Sequence, residues 1–267
     1  MRTSLVRLFS LSMCLVAMEG SAAILNPDVI VAGRTQAQWA DAWWQWALSF
    51  PANQSPQVDT TGALSFLGNQ GPVFFLAGSF TFSSPFVRST TVREDQFLFM
   101  PLITSATWEA ISAYGGSESG LRRDNEETIG IMPNGEAPGT TLFARLNGSD
   151  LPLPPPTTTL FDFRQRSPGF FDITIPPDNP IVVPPGTVQS LSDGWWLMLS
   201  PLEPGNYTIH IGGTTTGIGA YSSTFSPDIT YRLTVEAVPE ASTILLLGSG
   251  LITVFGYRLR KPKVRQN

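Results

Sequence analysis

Glycine and proline interrupt this chain at short intervals, and this spacing limits what the chain can fold into. The sequence holds 24 Gly and 23 Pro among 267 residues. Proline removes a helix hydrogen bond and glycine loses the most backbone freedom on folding, so long helices are excluded over most of the chain. Short runs rich in Phe, Val, Ile, Thr and Trp lie between them, which is typical of the strands of a β-sandwich or jelly roll.

The apolar runs predict a mainly β body. In "NYTIHIG", Tyr207, Ile209 and Ile211 alternate with Thr208 and His210, so one face of this strand is expected to be buried and the other is not. The predicted strands lie at 72–80, 96–104, 140–146, 158–164, 170–175, 194–200, 206–212 and 228–237.

One N-terminal segment, "RTQAQWADAWWQWALSF", predicts a helix from about Gln36 to Ser49. Thr35 and Gln38 have the spacing of a capping box. Four aromatic residues fall on one helical face, namely Trp39, Trp43, Trp46 and Phe50. Trp44 lies on the other side, so either the helix is covered on two sides or Trp44 is a contact surface.

Two further segments are interpreted more simply. "TSATWEAISAYGG" predicts a second short helix that ends near Gly115. "RRDNEET" gathers four polar or acidic side chains, Asp124, Asn125, Glu126 and Glu127, but it lacks the spacing and central Gly of an EF-hand loop. We interpret it as a solvated acidic loop balanced by Arg122 and Arg123.

The N-terminal end has the features of a secretory signal peptide at 1–23. Arg2 and Arg7 precede an apolar run, and small residues before Ile24 suit cleavage by signal peptidase after Ala23. The single cysteine, Cys14, lies inside this segment. The mature chain would therefore lack disulfides, thiolate catalysis and cysteine metal sites.

The C-terminal end predicts a membrane anchor. Residues 241–257 are uncharged and about long enough to cross a bilayer. The tail at 258–267 has no acid and carries five positive charges, Arg258, Arg260, Lys261, Lys263 and Arg265. Positive flanks stay in the cytoplasm, so the body is expected outside the inner membrane.

Val238, Pro239 and Glu240, followed by the apolar span and the basic tail, resemble the PEP-CTERM sorting signal of exported bacterial proteins. In that family the tail is a transient anchor, removed by an exosortase-type membrane protease in bacteria that make extracellular polysaccharide. The usual third motif residue is Pro, and Ala241 stands there instead. The resemblance implies a body at 24–237, a sorting signal at 238–267 and a final place at the cell surface or in the extracellular matrix.

The body also resembles a group of exported bacterial proteins of unassigned function. The similarity rests on the helix, on "DTTGALSFLGNQGPVFFLAG" and on "SDGWWLMLSPLEPGNYTIHIGG". It supplies no activity. The body holds nine Arg, no Lys and nineteen Asp plus Glu, a net charge of −10 that is expected to repel nucleic acid and anionic lipid.

The sequence offers no recognisable catalytic residue, metal site or cofactor motif. His210 is the only histidine, and no Gly-x-Ser-x-Gly elbow or phosphate-binding loop occurs. "DTTG" at Asp59 has no second copy, so we interpret it as a turn rather than part of an aspartic protease. A carboxylate pair of a glycoside hydrolase stays open, because separation in space decides it.

Asp193, Trp195 and Trp196 form the densest aromatic and polar cluster outside the helix, and they are the candidate glycan contact. Neighbouring residues of a strand point to opposite faces, so either both Trp are buried or one is exposed. We predict a non-enzymatic binding or structural component of the exopolysaccharide layer. The alternative is a secreted glycan-acting hydrolase that uses an Asp/Glu pair.

Overall fold

The computed structural model of the protein describes residues 23–80 and 85–239. Within these ranges the helices are α1 (Gln36–Ala47) and α2 (Glu118–Thr128). The strands are β1 (Asn69–Gln70), β2 (Val73–Phe75), β3 (Phe86–Arg93), β4 (Phe97–Trp108), β5 (Thr141–Leu146), β6 (Ser149–Asp150), β7 (Arg164–Arg166), β8 (Phe171–Ile175), β9 (Gly186–Leu199), β10 (Gly205–Thr216), β11 (Thr224–Phe225) and β12 (Asp228–Glu236). The prediction of a mainly β body is confirmed.

The strands form two sheets with a shared core. The first sheet has the order β1-β2-β4-β9-β7, and β8 also pairs with β9. The second has the order β3-β12-β10-β5-β6, and β11 also pairs with β10. Most pairs are antiparallel, whereas β2 runs parallel to β4 and β3 runs parallel to β12. Because β4 and β9 are long central strands, they give the first sheet two broad faces to bury.

Alternate side chains of both sheets meet in the core between them. Ile209 and Ile211 of β10 are fully buried there, together with Leu197 of β9. Thr208 is exposed and His210 is half-buried on the opposite face of β10. The alternation predicted for "NYTIHIG" is therefore confirmed, and it results from one face of the second sheet packing on the first.

Helix α1 begins where its capping residues predict. Thr35 Oγ1 accepts a hydrogen bond from the Gln38 backbone N–H at 3.2 Å, and Gln38 Oε1 accepts one from the Thr35 N–H at 3.0 Å. The helix ends at Ala47, slightly before the predicted end at Ser49. It covers the outer face of the first sheet and builds a second core there with Trp39, Trp43, Trp46, Phe75, Phe99 and Trp196.

The position of Trp44 shows whether α1 is covered on two sides or presents Trp44 as a contact surface. Its side chain is only 9% exposed. The indole Nε1 donates to Thr104 Oγ1 at 3.0 Å, and the ring stacks on Phe80 with centroids 6.0 Å apart. The helix is therefore covered on two sides.

A β-bulge in β4 places Thr104 beneath Trp44. The register with β9 shifts between Pro101 and Thr104, so the residues after the shift change face. Gly194 lies opposite the bulge with φ of +150°, and a Cβ there would lie 2.5 Å from the Thr104 Cα. Only glycine fits this close approach.

The interpretation of "RRDNEET" as a solvated loop is wrong. It lies in α2, whose N-cap is Ser117, and Asp124, Asn125 and Glu127 are buried. Asn125 Nδ2 donates to the backbone oxygen of Leu191 in β9 at 2.9 Å. The polar face of α2 therefore packs against the first sheet, and little apolar periodicity marks the helix in the sequence.

The expected helix ending near Gly115 is also wrong. Strand β4 continues to Trp108, and α2 begins only at Glu118. The predicted strand at 158–164 is mostly a 3₁₀ turn, Leu160–Phe163, which leads into β7. Strand β3 was not predicted, because Arg88 occupies an inward position where an apolar residue is expected.

Candidate functional site

Asp193 of β9 is held by two arginines of β7. Arg164 donates to both carboxylate oxygens, from Nε at 2.8 Å and from Nη2 at 2.6 Å. Arg166 Nε lies 3.4 Å from Asp193 Oδ2, and both arginines also pair with Glu126 of α2. Burial raises the pKa of the Asp193 carboxyl, and its hydrogen bonds with Arg164 counteract this rise. The Asp193 carboxylate therefore belongs to an ion-pair network, and the residue is only 2% exposed.

Trp195 and Trp196 point to opposite faces of the first sheet, as strand geometry requires. Trp195 is 2% exposed in the core between the sheets, and its Nε1 donates to the Phe161 backbone oxygen at 3.2 Å. Trp196 is fully buried under α1, where it stacks on Phe99 with centroids 5.2 Å apart. Both faces of this sheet are covered, so the alternative in which both Trp are buried describes the structure.

None of the three predicted contact residues presents an open face, but the buried Trp195 borders an open pocket. This pocket, called here the Trp195 pocket, has a volume of about 410 Å³ and is lined by Ile131, Gly135, Glu136, Ala137, Pro138, Phe161, Arg164 and Trp195. Phe161 forms an exposed wall, with 39% of its surface accessible. Its ring meets the Trp195 ring edge to face at 5.3 Å.

The wall of the Trp195 pocket is fixed by local structure. Thr159 and Asp162 cap the short 3₁₀ turn that carries Phe161. Arg164 is held in place by Asp193 on the next strand. The pocket therefore offers a rigid aromatic face beside a guanidinium group and the exposed Glu136. Sequence reasoning missed Phe161 as a surface residue because it assigned the segment to a strand.

Two other residues that the sequence analysis considered, His210 and Asp59, are engaged in local contacts. His210 Nε2 lies 2.7 Å from Asp228 Oδ1. Asp59 accepts hydrogen bonds from the backbone N–H groups of Thr61, Gly62 and Leu64, which confirms the turn predicted for "DTTG". Among the described residues, no three His, Cys, Asp or Glu side chains form a group that could hold a metal ion.

The two ends of the described part of the chain lie beside residues 200–205. Ala23 donates its N–H to Ser200 Oγ at 3.1 Å and accepts the Ser200 N–H at 2.9 Å. At the other end of these residues, Gly205 pairs with Val235 near the end of the last strand. The first and last parts of the chain that the structure describes therefore lie at the same end of the two sheets.

The fold defines a mainly β body whose last strand leads directly into a C-terminal segment. Residues 237–261 match the family model of the PEP-CTERM protein-sorting motif, which includes Val238, Pro239 and Glu240. The chain therefore carries the sorting motif of PEP-CTERM exported proteins, and the motif implies an exported, C-terminally anchored precursor that an exosortase-type membrane protease processes. No curated protein and no solved structure matches the chain, so the resemblance of the body to a family gains no support.

Several predictions about the ends lie outside the described residues. These are the signal peptide before Ala23, Glu240, the apolar span at 241–257 and the basic tail with Arg258, Arg260, Lys261, Lys263 and Arg265. In the part of the chain that the structure describes, no helix is long and apolar enough to span a membrane. The first described residues of the motif leave β12 beside β3, since the Val238 N–H donates to Glu94 Oε1 at 2.8 Å.

Proposed function

We propose that this protein is a non-enzymatic component of the exopolysaccharide layer and that it holds glycan chains in the Trp195 pocket. The observation that carries the proposal is the exposed Phe161 ring, fixed beside Arg164 and Glu136 in an open pocket of about 410 Å³. Aromatic faces stack on sugar rings, while charged groups bond the hydroxyls at the ring edge. The sorting motif supports the location, because such motifs direct export to the cell surface.

The pocket suits binding better than hydrolysis because the two carboxylates next to Arg164 are both engaged in ion pairs. Arg164 is bonded to both Asp193 and Glu126, so neither carboxylate is free to act on a substrate. The Asp193 side chain is also almost completely buried. A glycan in the pocket would therefore meet Glu136 as a lone carboxylate, with no second acid in the pocket lining, whereas glycoside hydrolysis uses two carboxyl groups.

A secreted hydrolase remains the second candidate, and one observation favours it. Glu126 and Asp193 bond the same Arg164 nitrogen, at 3.0 and 2.6 Å, so two carboxyl groups lie side by side next to the pocket, and glycosidases act through a pair of carboxyl groups. Incubation with the producer's polysaccharide separates the two candidates, because only a hydrolase releases new reducing ends. Release that is abolished by Glu126→Gln would overturn the non-enzymatic proposal.

The binding proposal is tested with Phe161→Ala. The exported protein and this variant are passed over immobilised polysaccharide from the producing cells, and retention is compared at equal salt. We expect retention to weaken about tenfold, by analogy with the ~1–3 kcal/mol per ring of base stacking on aromatic side chains. The melting temperature should change little, because Phe161 is 39% exposed.

Phe170→Ala is the matched control for this test. Phe170 is an exposed phenylalanine that immediately precedes β8, with 43% of its surface accessible. Its loss should leave retention unchanged. Equal retention of the Phe161→Ala variant and the unaltered protein would show that the Trp195 pocket does not bind the polysaccharide.

A further inference from the structure

The outer face of the second sheet carries a second open site, away from the Trp195 pocket. A shallow trough of about 500 Å³ crosses β3, β12 and β10. Six exposed polar side chains of these strands define it, and it is called here the Arg232 trough: Ser89, Thr91, Asn206, Thr208, Arg232 and Thr234. Hydroxyl and amide groups therefore surround a single cationic group.

The strand register arranges these side chains in two rows. Arg232 is the cross-strand partner of Ser89 on one side and of Thr208 on the other. Thr234 likewise lies between Thr91 and Asn206. Adjacent strands lie about 4.8 Å apart, so each row presents three polar groups over roughly 10 Å. That length matches one or two sugar rings of an extended chain.

Arg232 differs from the other arginines of the described residues. The other eight contact a carboxylate, a backbone oxygen or an aromatic ring, namely Arg34, Arg88, Arg93, Arg122, Arg123, Arg145, Arg164 and Arg166. The Arg232 side chain is exposed, and its guanidinium contacts no carboxylate, backbone oxygen or aromatic ring in the part of the chain that the structure describes. In a body with more than twice as many acids as arginines, this guanidinium group is available for an anion.

The acids nearest to Arg232 along its own strand face are too far away to neutralise it. Asp228 and Glu236 are each four residues from Arg232 on β12, which corresponds to about 13 Å at the usual rise of a strand. Asp228 is bonded to His210. The positive charge therefore faces solvent at the centre of the trough.

We propose that the Arg232 trough binds a glycan whose repeating unit carries one carboxylate among neutral sugars. A guanidinium fork bonds a carboxylate through two parallel hydrogen bonds, and the neighbouring Ser, Thr and Asn side chains suit sugar hydroxyls. The net charge of −10 on the body repels a densely charged polymer, so a chain of uronates alone is disfavoured. The inference rests on the proposed function only in taking the ligand to be a glycan.

The test uses the exported protein and three tetrasaccharide probes in calorimetric titrations. The first probe has one glucuronate and three neutral hexoses, the second is the same molecule with its carboxyl group reduced to an alcohol, and the third is a tetrauronate. We expect the first probe to bind most tightly. Arg232→Gln should weaken its binding about tenfold, to the level of the reduced probe, while the melting temperature is unchanged.

Arg145→Gln is the charge-matched control, since Arg145 lies on the same sheet and is already paired with Asp150. This variant should retain the preference for the carboxylated probe. The proposal is overturned if the reduced probe binds as tightly as the first, if the tetrauronate binds best, or if both arginine variants lose affinity equally. In the Phe161→Ala variant the carboxylate preference should persist, so failure at the Trp195 pocket is distinguishable from failure at the trough.

Discussion

Arg88 of β3 donates a hydrogen bond to the hydroxyl of its cross-strand partner Tyr231 at 2.9 Å, in the buried interior of the protein. Arg88 is 0% exposed, and no carboxylate of the described residues is bonded to it. Its other partners are backbone oxygens, including those of Asp59, Ala77 and Gly78 at 2.7 to 2.8 Å. The guanidinium thus ties the chain segments before β3 to the core between the sheets.

Arg88→Met should destabilise the fold by at least ~3 kcal/mol, because several buried carbonyl groups lose their donor and each such loss costs about 1–3 kcal/mol. Tyr231→Phe removes one hydroxyl and should cost only about 1 kcal/mol. Urea denaturation at pH 7 measures both. If the Met variant is as stable as the unaltered protein, the desolvation of the buried charge cancels its hydrogen bonds.

Trp195→Ala and Trp196→Ala should each destabilise the protein by about 3–5 kcal/mol, since each removes a buried indole and leaves a cavity. The two side chains lie on different faces of β9, in two separate cores. The double variant should therefore show nearly additive losses in thermal or urea unfolding. An Ala variant that melts normally would show that its indole is not packed as the structure describes.

Asp41 of α1 should make stability fall as the pH rises from 5 to 7. Its Oδ1 accepts hydrogen bonds from the hydroxyls of Ser167 at 2.6 Å and Ser192 at 2.9 Å. Burial raises the pKa of Asp41 to about 6 from 3.8, although these hydrogen bonds act against the rise. The folded state therefore binds the Asp41 proton more tightly than the unfolded state does. The stability that this proton contributes is fully present below the pKa of Asp41 in the unfolded state, and it is lost as the pH rises through the pKa of the folded state.

The expected loss from Asp41 between pH 5 and pH 7 is on the order of 1 kcal/mol. Asp41→Asn should lack this component, so its stability relative to the unaltered protein should rise over that range. Asp172→Asn, at an exposed position on β8, is the control and should follow the unaltered protein. Parallel pH curves for the unaltered protein and the Asp41→Asn variant would contradict the raised pKa.

The exported product is expected to start near Ile24 and to end between Val238 and Ala241. Intact mass of protein recovered from the cell surface measures both ends at once. A product that retains Arg258 and the rest of the basic tail would show that Ala241 in place of Pro impairs processing. In that case Ala241→Pro should restore removal of the tail.

The sequence alone determined those features that depend on neighbouring residues. The capping box of Thr35 and Gln38 fixed the start of α1, because both partners lie within one helical turn. The period of two in "NYTIHIG" defined a strand with one buried face. The sorting motif was also readable, since its parts follow one another in order along the chain.

The tertiary structure decided which polar residues are buried and which aromatic residues are exposed. Residues 118–128 form a helix because Asn125 and Asp124 find partners on β9 and on Tyr221, far away in sequence. Trp195 and Trp196 are both buried because α1 and the second sheet cover opposite faces of β9. Phe161 is exposed and Arg232 is left without an acid for the same kind of reason: burial and charge pairing depend on contacts between distant segments, which no local pattern records.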